Sequence, residues 1–262
     1  MAEKEVMRIT YVHCVRSEKI WRKSSQAQDT TVRVEQRTMP PQPPPLVPKR
    51  AALIMIDFQR DFCDEGGYAH AAFGGDMSWV SSVIPQAAAL LEACRNTPSF
   101  GLIVHTREGY APDLSDVGPV KQRRSVNSGA PIGAEGPLGR FLIRGEHGQD
   151  TIDQLKARAG EIVLDKNTFG AFVSTNLEEI LKSKGIEQII IAGVTADVCV
   201  HSTLREAVDR EFECWYCKDA ISTPDAKIRE ACEAMVEHEG GIWGWLVTVD
   251  EVVASLGSTG NE

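Results

Sequence analysis

Short runs of apolar residues recur along the chain from residue 51 onward, and each run has the length of a single β-strand. The first run, residues 51–56, reads AALIMI and is followed by Asp57. A run without polar alternation is typical of a strand that is buried on both faces of a parallel sheet. Comparable runs predict the other strands, at residues 100–106, 161–166, 188–194, 212–218 and 242–248.

Segments with helical spacing of apolar residues lie between most of these runs. In residues 224–238 apolar side chains recur at three- and four-residue intervals, and two glycines follow. Residues 175–185 have a similar pattern that ends on a glycine. Alternating strands and helices predict a doubly wound α/β fold, with a six-stranded parallel sheet and helices on both faces. In such folds, ligands bind beyond the carboxyl ends of the strands.

Two segments lack a sustained hydrophobic period. Residues 109–148 are rich in glycine and proline, so we expect them to form a loop over the carboxyl edge of the sheet. Residues 1–50 have a net charge of +5 in a chain whose net charge is −9, and residues 40–45 are a stiff proline-rich run. We predict a disordered or loosely packed tail over residues 1–46 and one folded domain over residues 47–262. A targeting role for the tail stays open, although its acidic residues and few serines argue against a transit peptide.

The composition limits the partners of the protein. A net charge of −9 argues against nucleic acid or an anionic membrane as a partner. No apolar run reaches the roughly 20 residues that a transmembrane helix needs, and we expect no signal peptide at the N-terminus. The seven cysteines lie mostly in apolar segments, which indicates reduced thiols in a cytoplasmic protein. We expect a homo-oligomer, a dimer or a tetramer, that binds a small molecule.

Three polar residues with the chemistry of a nucleophilic site occur at the ends of predicted strands. Asp57 follows the first strand, Lys166 ends the third, and Cys199 follows the fourth. Each alone has an ordinary structural explanation, but their meeting at one edge of a sheet is better explained by a site. We expect Cys199 in the first turn of a helix, where the helix dipole favours a thiolate and backbone N–H groups can bind an oxyanion.

Several motifs resemble those of the isochorismatase-like cysteine hydrolase superfamily. Segment 56–62 (IDFQRDF) is similar to its first motif, segment 165–166 (DK) to its lysine motif and segment 193–200 (GVTADVCV) to its nucleophile motif. They occur in the family's order, and the resemblance covers about residues 50–250. Three further segments make the chain most similar to biuret hydrolases and ureidoacrylate amidohydrolases, namely 105–109 (HTREG), 113–116 (DLSD) and 203–207 (TLREA).

The resemblance implies a catalytic triad and a covalent mechanism. Cys199 attacks an amide or ureido carbonyl, Asp57 takes the thiol proton and delivers it to the leaving amine, and Lys166 orients the pair. A thioester forms, and water then hydrolyses it. The resemblance also implies a cis peptide bond between Val194 and Thr195, with the N–H groups of Thr195 and Cys199 as the oxyanion hole.

Gln59, Phe62, Phe169 and Glu239 are the candidate substrate contacts. Two of them depart from the biuret hydrolases: Glu239 stands where those enzymes have a glutamine, and Phe169 where they often have a second lysine. A carboxylate only accepts hydrogen bonds, whereas an amide also donates them. We therefore expect Glu239, at the same edge of the sheet as Cys199, to favour substrates that present N–H groups or a cationic end over biuret itself.

Three other patterns do not indicate a functional site. Nicotinamidase-type relatives bind a metal through an Asp-x-His cluster after the second strand, and residues 105–108 (HTRE) lack it, so we expect no metal and no other cofactor. Cys214 and Cys217 form a C-x-x-C pair, but the period of a strand places their sulfurs on opposite faces. His201 lies two residues after Cys199, a spacing that does not bring helical side chains together, so we expect a structural or solvent-facing role.

Three functions are compatible with these residues. The leading hypothesis is hydrolysis of a C–N bond, other than a peptide bond, in a small amide, ureido or carbamoyl compound, with release of ammonia or an amine. The second is ether hydrolysis of the isochorismatase type, although isochorismatases typically lack the nucleophilic cysteine. The third is a non-catalytic binding protein on the same fold, against which the presence of all three triad residue types argues.

Overall fold

Six parallel strands form the central sheet of this protein. The structure is a computed structural model and describes residues 42–257. The strands of the sheet are β1 (Ala51–Ile56), β2 (Leu102–Glu108), β5 (Ile162–Lys166), β6 (Gln188–Val194), β7 (Glu213–Ser222) and β8 (Trp245–Val247), and a separate two-stranded hairpin is formed by β3 (Glu135–Gly136) and β4 (Gly139–Arg140). The order across the sheet is β5-β2-β1-β6-β7-β8. The predicted doubly wound α/β fold is confirmed.

Helices cover both faces of this sheet. In chain order they are α1 (Arg60–Cys63), α2 (Tyr68–Ala72), α3 (Ser78–Ser81), α4 (Ile84–Asn96), α5 (Pro119–Asn127), α6 (Leu177–Ser183), α7 (His201–Val208), α8 (Ala226–Glu237) and α9 (Val249–Gly257). The longest, α4, has 13 residues. Within residues 42–257, therefore, no helix combines the length and the apolar character that crossing a bilayer requires.

Strand β1 divides the hydrophobic core into two halves. All six of its residues are buried, because side chains that alternate along the strand enter opposite layers. Ala51, Leu53 and Met55 belong to one cluster with residues of α4 and α9. The intervening side chains of β1 belong to a second cluster with residues of α6, α7 and α8. This burial on both faces explains the continuous apolar run in the sequence.

Strand boundaries differ from the predictions where polar residues continue a strand. Strand β2 was predicted to end at residue 106 but runs to Glu108, whose backbone pairs with Lys166 at the end of β5. Strand β7 extends to Ser222, and β8 has only three residues. Segment 109–148 does lie over the carboxyl edge, but it contains α5 and the β3–β4 hairpin rather than only a loop.

The end of the predicted tail packs onto the domain. Residues 1–41 of that tail, and residues 258–262 of the predicted domain, lie outside the described residues. Within residues 42–46, Leu46 is only 3% exposed and belongs to the core. The side-chain amide of Gln188 accepts a hydrogen bond from Val47 N (2.7 Å) and donates one to Pro45 O (2.9 Å). The packed domain therefore begins before residue 47.

Leu46→Ala should lower the free energy of unfolding by about 2–5 kcal/mol, because it removes a buried side chain and leaves a cavity. Val173→Ala, at a side chain that is 67% exposed, is the control and should leave stability unchanged. Denaturant unfolding of the three proteins measures the difference. Equal stability of the Leu46 variant and the wild type would show that residues 42–46 do not belong to the folded unit.

Candidate active site

Four buried side chains with reactive groups meet at the carboxyl edge of the sheet. They come from four adjacent strands: Lys166 ends β5, Glu108 ends β2, Asp57 follows β1, and Cys199 follows β6. Each is at most 4% exposed. Parallel strands align their carboxyl ends, so residues that are distant in sequence meet there. The structure thus brings together the three residues that the sequence predicted and adds Glu108.

The Lys166 ammonium group lies at the centre of this group. Its Nζ is 2.7 Å from Asp57 Oδ2 and 3.5 Å from Cys199 Sγ, and it donates a hydrogen bond to Thr168 O at 3.0 Å. The contact with Asp57 is an ion pair, whereas Thr168 O and the Cys199 sulfur accept hydrogen bonds from the ammonium group. Lys166 is therefore held in one position between the carboxylate and the sulfur.

The backbone at Asp57 turns its carboxylate into the site. Its φ of 55° is in the left-handed region, which aspartate tolerates better than most residues. Thr106 on the neighbouring strand holds this turn: its carbonyl accepts from Asp57 N (3.1 Å) and its hydroxyl donates to Asp57 Oδ1 (2.7 Å). One oxygen of the carboxylate is thus bound to a hydroxyl and the other faces Lys166.

Cys199 lies in a single turn of π-helix, Ala196–Val200, which leads directly into α7. The peptide bond between Val194 and Thr195 is cis. Gly193 precedes it with a φ of 150°, and a Cβ at this position would overlap Ile56 O on the adjacent strand. Only glycine therefore allows β6 to approach the end of β1 so closely.

Glu108 is the functional candidate that the sequence analysis missed. Its Oε1 accepts hydrogen bonds from Tyr110 Oη (2.6 Å) and Lys121 Nζ (3.0 Å), and its Oε2 lies 3.7 Å from Cys199 Sγ. The sequence contained the pattern that could have identified Glu108, namely an ionisable residue at the end of a buried strand. The same pattern identified Asp57 and Lys166. The predicted end of β2, two residues too early, hid it.

Gln59 does not contact the cavity, so its predicted role in substrate binding is wrong for this structure. The side chain is fully buried. It donates to Glu108 O (2.8 Å) and accepts from Glu108 N (2.6 Å). A side-chain amide that is paired with both backbone groups of one residue fixes that residue in place. Gln59 therefore holds Glu108 beside Cys199.

Burial and charge decide the protonation states of the site. The pKa of Cys199 is raised well above its ordinary value by burial and by the neighbouring carboxylates of Asp57 and Glu108, which together outweigh Lys166. Burial alone would lower the pKa of Lys166, but Asp57, Cys199 and Glu108 outweigh it and raise the pKa. Burial alone would raise the pKa of Glu108, but Lys166 and Lys121 lower it. The free site therefore holds a thiol rather than the expected thiolate, beside a charged lysine and an ionised Glu108.

A cavity of about 200 Å³ opens onto the Cys199 sulfur. Its walls include Phe62 and Phe169, two of the predicted substrate contacts, and Thr195, a predicted oxyanion donor. Helix α5 supplies Lys121, whose ammonium lies 3.3 Å from the centre of the Phe169 ring. The remaining wall residues are mostly apolar or aromatic or carry hydroxyl groups, namely Tyr68, Phe73, Arg124, Ser125, Ser128, Ile132, Leu142 and Val198.

Glu239 lies at the opposite edge of the sheet, so the prediction that it lies near Cys199 is wrong. It follows α8 and precedes β8, and a connection from a helix to the next parallel strand reaches the amino edge. Its side chain is 63% exposed and lies 3.9 Å from the His238 ring. The neighbouring Gly241 and Ile242 line a separate open groove with the first residues of β6 and β7. Glu239 cannot select a substrate at Cys199 from this position.

Asp57, Glu108 and Cys199 are the one group in residues 42–257 with the ligand types and spacing of a metal site, with ligand atoms within 4.8 Å of one another. The space between them is already occupied by positive charge. Lys166 Nζ contacts both Asp57 and Cys199, and Lys121 Nζ contacts Glu108. A divalent cation here would face two ammonium groups, so the residues present do not fit a metal.

The two other sequence patterns have structural explanations. Cys214 and Cys217 are buried in the two different core clusters, on opposite faces of β7, as predicted. His201 is 5% exposed, and its Nε2 lies 3.1 Å from Cys232 O on α8. It packs against Tyr216 rather than Cys199. The predicted structural role of His201 is confirmed.

Comparison with known proteins identifies one family. The family model for the isochorismatase domain matches residues 51–245. The chain is 29% identical to the ureidoacrylate amidohydrolase RutB of Caulobacter segnis, over 83% of this chain and 90% of that protein. It is 30% identical to the RutB of Variovorax paradoxus, over 84% and 87%. A cysteine hydrolase from Pseudomonas syringae pv. phaseolicola has a similar fold, with a TM-score of 0.70, 22% identity, and coverage of 85% of this chain and 99% of that one.

Cys199 should remain a thiol at about pH 8.5, where a free cysteine is half ionised, because its pKa is raised. The thiolate absorbs ultraviolet light, so subtracting the pH titration of Cys199→Ser from that of the wild type isolates this residue. We expect no step in the difference until the pH is well above that value. A step centred at or below that pH would show that Lys166 lowers the pKa of Cys199 by more than burial and the two carboxylates raise it.

Lys166→Met should lower the free energy of unfolding by about 3–5 kcal/mol, because it leaves the buried Asp57 carboxylate without its partner. Adding Asp57→Asn to this variant removes the unpaired charge, so the double variant should recover much of the lost free energy of unfolding. The control Lys182→Met breaks an exposed pair with Glu178 and should have little effect. Denaturant unfolding of these variants tests the coupling; additive losses in the double variant would contradict it.

Proposed function

The chain belongs to the isochorismatase family, and we propose that it hydrolyses a C–N bond of a small amide, ureido or carbamoyl compound through a thioester on Cys199. The observation that carries this proposal is the contact of Lys166 Nζ with both Asp57 (2.7 Å) and the sulfur of Cys199 (3.5 Å), because Cys199 lines the cavity. The names of the RutB relatives, ureidoacrylate amidohydrolases, agree with this reaction class.

The first half of the reaction forms the thioester. The sulfur attacks the substrate carbonyl carbon while the thiol proton passes to the Asp57 carboxylate, so no free thiolate accumulates in the buried site. The C–N bond then breaks, and the proton on Asp57 moves to the departing nitrogen, which leaves as ammonia or an amine. Lys166 stays charged and offsets the negative charge that moves between sulfur and carboxylate.

The second half of the reaction restores the enzyme. A water molecule gives a proton to Asp57 as its oxygen attacks the thioester carbonyl. The C–S bond breaks, the sulfur takes the proton back from Asp57, and the acid product leaves. In both halves the carbonyl oxygen becomes an oxyanion, and we assign its binding to the backbone N–H groups of Thr195 and Cys199. Such donors act strongly because they are preorganised in a site from which water is largely excluded.

The walls of the cavity favour a small and partly apolar substrate. Phe62 and Phe169 line it, so we assign both to substrate contact. Phe169 also packs against the Lys121 ammonium at 3.3 Å, which fixes α5 over the site. A volume of about 200 Å³ suits a molecule of few heavy atoms rather than a peptide chain.

Two further predictions concern the state of the whole protein. The described cysteines are all free and buried, which is consistent with the reduced cytoplasmic setting that we predict. The predicted homo-oligomer remains a prediction, which the solution mass of the full chain would test.

Cys199→Ala and Cys199→Ser should lose more than about 10³-fold of kcat, because neither side chain supplies a competent nucleophile. Ammonia release from biuret, triuret, ureidoacrylate, N-carbamoyl amino acids and nicotinamide is the assay. Cys232→Ala removes a buried thiol on α8 outside the site and is the matched control, with activity close to that of the wild type. Activity of either Cys199 variant within tenfold of the wild type would overturn the mechanism.

Ammonia release from any of these compounds by the wild type would also exclude a purely non-catalytic binding protein. Mass spectrometry of the protein during turnover distinguishes the two catalytic hypotheses. Amide hydrolysis should add an acyl group to the tryptic peptide that contains Cys199, whereas ether hydrolysis by water would leave that peptide unmodified.

A further inference from the structure

Glu108 is a buried carboxylate that the proposed reaction does not use. It is 4% exposed and lies on the wall of the cavity, and it is the one acidic residue among the described residues that form that wall. The side chain of Gln59 binds the backbone N–H and carbonyl of Glu108 at 2.6 and 2.8 Å. Tyr110 and Lys121 hold Oε1 of Glu108. A charged group with this many fixed contacts has one preferred position.

The two oxygens of Glu108 have different surroundings. Oε1 accepts from the Tyr110 hydroxyl at 2.6 Å and from the Lys121 ammonium at 3.0 Å. Oε2 has one hydrogen-bonding partner within residues 42–257, the Cys199 thiol at 3.7 Å. Because Lys166 and Lys121 lower the pKa of Glu108 against the effect of burial, the group is ionised and can only accept. Oε2 is thus an acceptor directed at the place where the substrate carbonyl must bind.

The distance from Oε2 to the sulfur matches the position of an atom attached to the reacting carbon. When the carbonyl carbon is bonded to Sγ, its other substituents lie two bonds from the sulfur. An N–H on that carbon can reach an oxygen that is 3.7 Å from the sulfur at ordinary hydrogen-bond length. A methylene group in the same place would leave Oε2 of the carboxylate without a hydrogen-bond donor once the thiol has lost its proton.

We propose that Glu108 is a specificity residue: its Oε2 accepts a hydrogen bond from a second N–H on the carbonyl carbon that Cys199 attacks. The site then prefers a ureido carbonyl, which has nitrogen on both sides, over a simple amide. Asp57 serves the nitrogen that leaves, and Glu108 holds the nitrogen that stays on the carbon. This inference rests on the proposed function.

Two compounds of nearly equal shape test the inference. N-carbamoylglycine and succinamate both have a terminal carboxamide and a carboxylate, and they differ in one N–H that is replaced by CH₂. Their carboxylate suits a wall that contains Lys121 and Arg124. Steady-state ammonia release gives kcat/KM for each compound, and the ratio of the two values is the readout. We expect the wild type to prefer N-carbamoylglycine by about 10- to 100-fold, the effect of a hydrogen bond to a buried charge.

Glu108→Gln keeps the size of the side chain but reverses its hydrogen bonding toward the substrate. The donors of Lys121 and Tyr110 should hold the amide oxygen at the former Oε1 position, so the amide NH₂ faces the sulfur. The preference for N-carbamoylglycine should then fall to about twofold or less, whatever the change in absolute rate. Glu187→Gln, at an exposed pair with Arg50 on the amino edge, is the matched control and should keep the wild-type ratio.

The possible outcomes separate this inference from the proposed function. Two results would overturn the role of Glu108 and leave the proposed hydrolase intact. One is a kcat/KM ratio near one for the wild type, and the other is a ratio in Glu108→Gln that equals that of the wild type. If Glu108→Gln does not fold, the wild-type ratio alone decides, since a ratio near one still overturns the inference. If the wild type releases ammonia from simple amides but from no N-carbamoyl compound, the inference also fails. If it hydrolyses no amide or ureido compound at all, the proposed function fails and the inference fails with it.

Discussion

The buried ammonium group of Lys166 is the interaction on which the rest of the site depends. Without it, the carboxylates of Asp57 and Glu108 and the Cys199 sulfur would lie within 4.8 Å of one another with no internal counter-charge except Lys121. Removing a lysine from water costs several kcal/mol, and only close partners offset that cost. Asp57 at 2.7 Å, Thr168 O at 3.0 Å and the sulfur at 3.5 Å supply them. The same contacts keep Lys166 charged and fix its position between the Asp57 carboxylate and the Cys199 sulfur.

The parallel register of the sheet sets these distances. Ile56 pairs with Thr106 on one side and with Gly193 on the other, and Glu108 pairs with Lys166. A slip of one residue in any of these strands would turn the reactive side chain to the opposite face. The all-buried β1 resists such a slip, because both of its faces contribute to the core. The hydrophobic core thus determines the geometry of the chemistry.

Segment 109–148 forms part of the wall of the cavity at the carboxyl edge of the sheet. Helix α5 places Lys121 against Glu108 and Phe169, and Leu142 and other apolar side chains line the wall. Burial is the main cause that raises the Cys199 pKa, and Asp57 and Glu108 add to it. Burial acts in the same direction on Glu108, but there Lys166 and Lys121 outweigh it and lower the pKa. A thiol with a raised pKa agrees with the proposed mechanism, in which the proton of Cys199 passes to Asp57 during the attack.

The sequence by itself determined the sheet and three reactive residues, because continuous apolar runs and strand-end polar residues are local patterns. Asp57, Lys166 and Cys199 could be identified without coordinates, as could the separation of Cys214 from Cys217. Only the tertiary structure decided where side chains find distant partners. Gln59 binds the backbone of Glu108, 49 residues away, instead of a substrate. Glu239 lies at the amino edge, since the end of α8 and the start of β8 set its position. The protonated state of Cys199 depends on burial and on charges from other strands, which no local pattern in the sequence contains.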